Sequence, residues 1–426
     1  MDRTFAGESL RRTVLDNGIR VVTERVEAVR SVSLGVWVQA GSRDECSENA
    51  GISHFLEHVV FKGTEGRSAF EIARALESVG GGLDAFTTRE HTCYLARVLG
   101  DDVPLAVEVI SDLLRSPALV ADDIEMEKQV VIEEIRSLND LPDELAHESF
   151  TRMVWHDHPL KNSILGTEKT VASFTPEKMR EYMEGHYIGE RIVVAAAGWL
   201  DHDEVVDLVK AHVGSLAGES AGAPDAEVEP FRPVVMGVRD LKQEHIYIGC
   251  RGVSFTHPDR YAMALMVCLL GGGMSSRLYQ SVRERSGLAY AISSYAEFLA
   301  DSGLFGTYIA VSPENATGAI RLILKEMALL KTDGLDADEL DGAKAQIVGG
   351  IVIGMERMSQ RMGRLAKAEI HGEPIDGVDA IISGIRSVTA DDVIRVLDEG
   401  MRPGRICLAG LGPLDETAVS DIELIC

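Results

Sequence analysis

Two rhythms of apolar residues alternate along this chain. Arg20-Val21-Val22-Thr23, Val32-Ser33-Leu34-Gly35-Val36-Trp37-Val38 and His245-Ile246-Tyr247-Ile248-Gly249-Cys250 read as strands, rich in β-branched and aromatic residues. Residues 53–61 carry Phe55, Leu56, Val59, Val60 and Phe61, which predicts a mostly buried helix with Ser53 as its N-cap. Residues 121–135 also have helical spacing, with Ile124, Val131 and Ile135 on one side. Glu127 and Glu134 are seven apart and share another face, whereas Glu133 is turned away by about 100°.

A stretch of small, polar residues without periodicity, 214–226, reads as a linker. It predicts a first domain over 1–213, a linker over 214–233 and a second domain over 234–426. Each half opens with strands and passes through helices, a further strand region and more helices. The expected class is therefore α+β, repeated twice. Residues 121–135 align without gaps to 337–351 at a constant offset of 216, with Ala, Asp, Lys and Ile recurring and apolar positions staying apolar. In that alignment Glu134 falls on Gly350 and Glu127 on Ala343. The segment analogous to the 53–61 helix, 263–270, has no His or Glu. The pattern is that of an internal duplication in which one copy lacks ionisable groups that the other keeps.

Charge narrows the partners. Sixty-eight acidic against 42 basic residues give a net charge of −26, which argues against nonspecific nucleic-acid binding. It suits either solubility alone or a cationic partner steered by the field. Six scattered cysteines with no C-x-x-C pair predict reduced thiols. Residues 1–8 have no apolar signal core, and the longest apolar run, near 261–270, is too short to cross a bilayer. These features together predict a cytoplasmic chain with no membrane insertion. Gly271-Gly272-Gly273 lacks the ending of a phosphate loop and reads as a turn. His156-Asp157-His158, followed by Pro159, reads as a loop rather than a metal site.

His54-Phe55-Leu56-Glu57-His58 carries the chemistry. It is H-x-x-E-H, the reverse of the H-E-x-x-H zinc motif. Histidines four apart stand one helical turn apart on one face, so both imidazoles can reach a single ion. Glu57 sits on nearly the same face and can take a proton from a metal-activated water. Catalytic zinc usually has three protein ligands, so a third is needed, and spacing alone does not choose among the acids of 121–135.

With these residues in view, the chain resembles the M16 (pitrilysin) metallopeptidases, which include the mitochondrial processing peptidases and the insulin-degrading enzymes. In that family a ligand glutamate follows the second histidine by 76 residues, which here is Glu134 (134 − 58). Glu127 matches a supporting acidic position. The flanks Gly41-Ser42-Arg43-Asp44-Glu45, Phe61-Lys62-Gly63-Thr64 and Gly80-Gly81-Gly82-Leu83-Asp84-Ala85-Phe86-Thr87 agree too. The likeness extends from about residue 10 to beyond 400, and Asp84 departs from the usual family Asn. It implies two homologous α/β-sandwich domains, the duplicated LuxS/mitochondrial-processing-peptidase-like fold, closing as a clamshell.

The resemblance further implies one Zn2+ per chain held by His54, His58 and Glu134, with Glu57 as general base. Arg283 and Tyr290, seven apart, match a family pair that donates hydrogen bonds to the substrate carbonyl; Arg277 and Arg285 are the neighbours most easily confused with Arg283. An extended, basic peptide would add as a strand along Leu83, Asp84, Ala85, Phe86 and Thr87. Short members act as homodimers or pair with a second M16 subunit. The expected function is a zinc metalloendopeptidase that cleaves unstructured or presequence-like peptides inside a closed chamber. The rival is a structural or regulatory subunit, but such relatives have typically lost part of the motif that this chain keeps whole. A metal-binding protein without hydrolysis would leave Glu57, Arg283 and Tyr290 without a role.

Overall fold

The structure, a computed structural model, describes residues 9–222, 231–375 and 377–425. The N-terminal 1–8 segment, linker residues 223–230, Asp376 and Cys426 lie outside the described residues. In chain order the first half contains β1 (Ser9–Val14), β2 (Arg20–Arg25), β3 (Ser31–Val38), α1 (Ile52–Val60), α2 (Ala69–Glu77), β4 (Gly82–Thr87), β5 (Thr92–Leu99) and α3 (Val103–Arg115). It continues with α4 (Ala121–Asn139), α5 (Pro142–Val154), α6 (Glu168–Ala172), α7 (Pro176–His186), β6 (Ile192–Gly198) and α8 (His202–Val213). The second half contains β7 (Val234–Val238), β8 (Glu244–Gly252), α9 (Arg260–Gly271), β9 (Ala289–Phe298), β10 (Gly303–Val311) and α10 (Ala316–Thr332). It ends with α11 (Ala337–Gly354), α12 (Met358–Ile370), α13 (Val378–Ser387), α14 (Ala390–Gly400) and β11 (Cys407–Gly412). The mixed α/β, two-domain class expected from the apolar rhythms is the one observed.

Two compact units result, and neither is continuous along the chain. Unit 1 is built from the described parts of residues 1–136, 162–226 and 353–377; unit 2 is built from those of 137–161, 227–352 and 378–426. Unit 1 holds a six-stranded sheet of order β1-β2-β6-β3-β5-β4, in which β2 and β6 are parallel and every other neighbour antiparallel. Unit 2 holds a five-stranded sheet of order β7-β11-β8-β10-β9, again with one parallel pair, β7 and β11.

Both faces of each sheet are covered, which explains strands such as β6, Ile-Val-Val-Ala-Ala-Ala-Gly, that read as continuous apolar runs. One face of the unit 1 sheet packs on a core that includes α1, α3, α7 and α8. Its other face, with Val22, Trp37, Cys93 and Val193, is covered by Met362, Leu365 and Ala366 of α12. Small residues let that helix come close: Ala195 and Ala197 lie under it, and a Cβ on Gly35 would stand 3.4 Å from Met362 Sδ and collide with the Trp37 ring. In unit 2 the corresponding face is covered by α5, through Ala146, Phe150, Met153 and Val154. A Cβ on Gly249 would meet the Phe150 ring at 2.9 Å. Each sheet therefore takes one covering helix from the other half of the chain.

The exchanged helix of unit 1 is also pinned by charge. Glu24 of β2, fully buried, accepts from Arg361 and from Arg364 Nη2 (3.1 Å). Arg12 forms a two-bond pair with Glu369, both at 2.8 Å. Losing Arg361 from the buried Glu24 pair would leave an uncompensated charge in the core.

Candidate metal centre

Helix α1 begins two residues earlier than a Ser53 cap predicts. Ser53 lies inside the helix, and the N-cap is Gly51 at φ 90°, a left-handed conformation that favours glycine. The reason is steric. A Cβ on Gly51 would lie 2.6 Å from the Leu165 carbonyl oxygen, so no capping side chain fits there. The cap comes from Glu45, whose buried carboxylate accepts from the Gly51 N–H (2.6 Å) and the Ser53 N–H (2.9 Å). Burial pushes the Glu45 carboxyl up to about 7, against those hydrogen bonds. Ser53 Oγ instead bonds Tyr182 Oη at 2.8 Å.

From this start α1 aims His54 and His58 at the same spot, with ring centroids 4.6 Å apart. Helix α4 brings Glu134 to them. Glu134 Oε1 lies 3.7 Å from His54 Nε2, and its Oε2 lies 3.5 Å from His58 Nε2. One ligand atom from each of the three residues lies within 4.8 Å of the others, the sole such cluster among the described residues. Zinc bonds of about 2.1 Å in a tetrahedron place ligand atoms roughly 3.4 Å apart, so this spacing fits one zinc ion. Two imidazoles and a carboxylate, with the carboxylate side chain 43% exposed, are a donor set that leaves a position open to water and substrate.

The surroundings set the protonation. His58 Nδ1 lies 3.0 Å from Glu127 Oε1, which favours the tautomer with its proton on Nδ1 and the Nε2 lone pair turned to the cluster. Glu127 is buried, and its Oε2 meets Lys62 Nζ at 2.5 Å. His54 is 7% exposed, and burial together with His58 pulls it down to about 4. Its Nδ1 is buried without a hydrogen-bond partner among the described residues. A neutral imidazole is the form that binds a metal. Burial also holds Glu57 above the usual carboxylate range, opposed by a hydrogen bond donated by Thr87 Oγ1 at 2.6 Å. Glu133 points away and pairs with Arg136 at 2.7 Å.

The structure brings His54, His58, Glu134, Glu127 and Glu57 together within unit 1. In the same unit β4, carrying Leu83 to Thr87, is an edge strand that pairs, among the described residues, with β5 alone. Leu83 and Ala85 pack toward the core, while Asp84 and Phe86 are exposed. Arg283 and Tyr290 lie in unit 2 and touch each other. The guanidinium stacks 4.7 Å from the Tyr290 ring and 4.8 Å from that of Tyr279, and Arg283 Nη1 donates to the Tyr290 carbonyl at 2.6 Å. Tyr290 is 79% exposed. The neighbouring arginines are used differently: Arg277 makes a two-bond pair with Glu339, and Arg285 approaches Glu326. Among the described residues His156-Asp157-His158 belongs to no metal cluster. Asp157 pairs with Arg251, and His158 lies 3.5 Å from Asp301. Five cysteines, Cys46, Cys93, Cys250, Cys268 and Cys407, are free thiols. No helix among the described residues is long and apolar enough to cross a membrane.

Two residues at the centre carried no signal of their role in the sequence. Glu45 caps α1 from six to eight residues upstream, and the Thr87 hydroxyl reaches Glu57 from a separate strand. A helix missing its own capping side chain, beginning at Gly51, is the only local hint of the first.

The insulinase (peptidase family M16) model matches residues 20–168, and the peptidase M16 inactive domain model matches 173–347. An uncharacterized zinc protease of Streptomyces coelicolor is 38% identical, covering 97% of this chain and 92% of its own length. An uncharacterized zinc protease of Bacillus subtilis is 35% identical, covering 90% and 94%. Among solved structures, a protease from Helicobacter pylori has a similar fold, with a TM-score of 0.89 at 23% identity, covering 95% of this chain and all of that one.

Proposed function

The chain belongs to the M16 peptidase family, and on that premise we propose that it is a zinc-dependent endopeptidase acting on extended peptides. The observation that carries the reading is the convergence of His54, His58 and Glu134 at zinc-like spacing, one residue from a carboxylate held above its usual range. His54, His58 and Glu134 would hold the metal, one ion per chain. Zinc bound there would acidify a water and polarise the peptide carbonyl. Glu57 takes the proton of the attacking water and hands it to the leaving amine, a task suited to a carboxyl whose proton affinity burial has raised. Glu127 orients His58 by bonding its Nδ1. Arg283 and Tyr290 donate hydrogen bonds to the carbonyl oxygen as it gains charge.

The peptide docks as an added strand on the free edge of β4, along Leu83 to Thr87, with Asp84 available to a basic side chain. Main-chain pairing of that kind selects unstructured segments over folded proteins. Assembly as a homodimer, or with a second subunit of the family, and residence in the cytoplasm belong to the same proposal. The test is cleavage of a basic, unstructured peptide with and without a chelator, beside Glu57→Gln. Chelation should stop cleavage, and Glu57→Gln should cost about 10²- to 10⁴-fold in kcat while zinc stays bound. Cleavage that survives both would sink the mechanism.

A further inference from the structure

The Thr87 side chain does not face the place where a peptide would pair. Along β4 exposure alternates: Asp84 and Phe86 are open, while Leu83, Ala85 and Thr87 share the partly buried face. The hydroxyl of Thr87 ends 2.6 Å from Glu57 Oε2, and among the described residues no other side chain hydrogen-bonds Glu57.

The direction of this bond follows from what lies behind it. Thr92 Oγ1 is 3.4 Å from Thr87 Oγ1, but its single proton goes to the Ala40 carbonyl at 3.0 Å. Thr92 is fully buried and therefore fixed in that role. It can receive nothing from Thr87 without displacing the stronger bond to a carboxylate, and has no proton to return. The Thr87 proton is thus committed to Glu57 Oε2. One carboxylate oxygen is tied down, and Oε1 is left to meet a water.

Building on the proteolytic reading above, we propose that Thr87 is a positioning residue. Its hydroxyl fixes the orientation of the Glu57 carboxylate, while its main chain belongs to the edge strand that pairs with the peptide. The edge strand then serves substrate with its backbone and the base with one side chain. Any displacement of β4 on peptide docking is transmitted directly to Glu57.

Thr87→Val keeps shape and strand preference and removes only the donor. A hydrogen bond to a charged group of this kind corresponds to about a 10- to 100-fold effect on kcat. The experiment compares wild type, Thr87→Val and Thr87→Ser as full chains loaded with zinc. It measures kcat and KM on one basic unstructured peptide, zinc affinity by chelator competition, and melting temperature. The expected result is a fall in kcat for Thr87→Val, with KM, zinc affinity and melting temperature unchanged, and recovery in Thr87→Ser. A raised KM at unchanged kcat would make Thr87 a substrate contact and overturn the proposal. So would weakened zinc binding or a lowered melting temperature that accounts for the loss, or a Thr87→Ser variant as impaired as the valine. If Thr87→Val does not fold, Thr87→Ala in the same assays decides by the same criteria. A wild type that cuts nothing overturns the proteolytic reading itself and the role of Thr87 with it. A wild type that cuts, matched by Thr87→Val, overturns Thr87 alone.

Discussion

The two sheets are built to one plan and differ in what they carry. Strands β2, β6, β3, β5 and β4 of unit 1 have the same order and sense as β7, β11, β8, β10 and β9 of unit 2. Helix α4 begins at Ala121 and α11 at Ala337, and α5 and α12 keep the same offset of 216 residues at both ends. Yet where unit 1 has buried Glu127 and half-exposed Glu134, unit 2 has buried Ala343 and exposed Gly350. Where α1 carries two histidines, α9 buries Met263, Leu265, Met266 and Leu269. The plan folds without the clustered histidines and glutamates. In unit 1 the clustered residues instead burden the fold: among the described residues the buried His54 Nδ1 has no hydrogen-bond partner, and burial raises the Glu57 carboxyl beside it. Groups that cost stability and that the twin unit dispenses with are best explained by chemistry.

Three substitutions would break or sharpen that contrast. The largest effect should come from His54, which has no counterpart in unit 2. Its folded value of about 4 lies below the ordinary 6.5, so between these values the unfolded chain binds the extra proton. Stability of the metal-free protein should be full above pH 6.5 and fall as pH drops to 4, by on the order of 3 kcal/mol from this group. Denaturant melts at several pH values should show that slope in the wild type and lack it in His54→Gln; identical slopes would remove His54 as the cause.

Next is Glu127→Ala, which copies the residue of unit 2. Because Glu127 orients His58, zinc affinity should weaken by about 10- to 100-fold while the fold survives, as read by chelator competition and circular dichroism. Unchanged affinity would show that His58 needs no partner. The smallest effect should come from Gly350→Glu, which copies unit 1 into unit 2. Nothing lies within 4 Å of a Cβ there, so the helix should gain up to about 1 kcal/mol from losing an interior glycine. No second zinc should bind, since α9 offers no histidine. A second equivalent of zinc by elemental analysis would contradict the comparison.

Much of the fold was readable because it rests on local periodicity. The strands at 20, 32 and 245, the helix from 121 and the shared offset all follow from apolar spacing and one gapless alignment. The cluster was approachable for the same reason: His54, Glu57 and His58 share a helix face, and Glu127 and Glu134 share another. What failed was tertiary. Ser53 has the chemistry of a cap, but the close approach of Leu165 to Gly51 moved the helix start and handed the cap to Glu45. That Thr87 turns its hydroxyl to Glu57 depends on how β4 lies beside α1, which no spacing records. Nor does the apolar face of α5 or α12 say which sheet it will cover.

The borrowing of α12 shapes how the molecule is made. A ribosome delivers the chain from its first residue, and α12, which closes the second face of the first sheet, ends only at Ile370. Until then Trp37, Val22 and Val193 have no cover on that side. Unit 1 therefore cannot complete its core when its own strands are finished at Gly198. It must wait for most of the second half to emerge, so a truncated chain should be a client for chaperones and proteases rather than a free-standing domain.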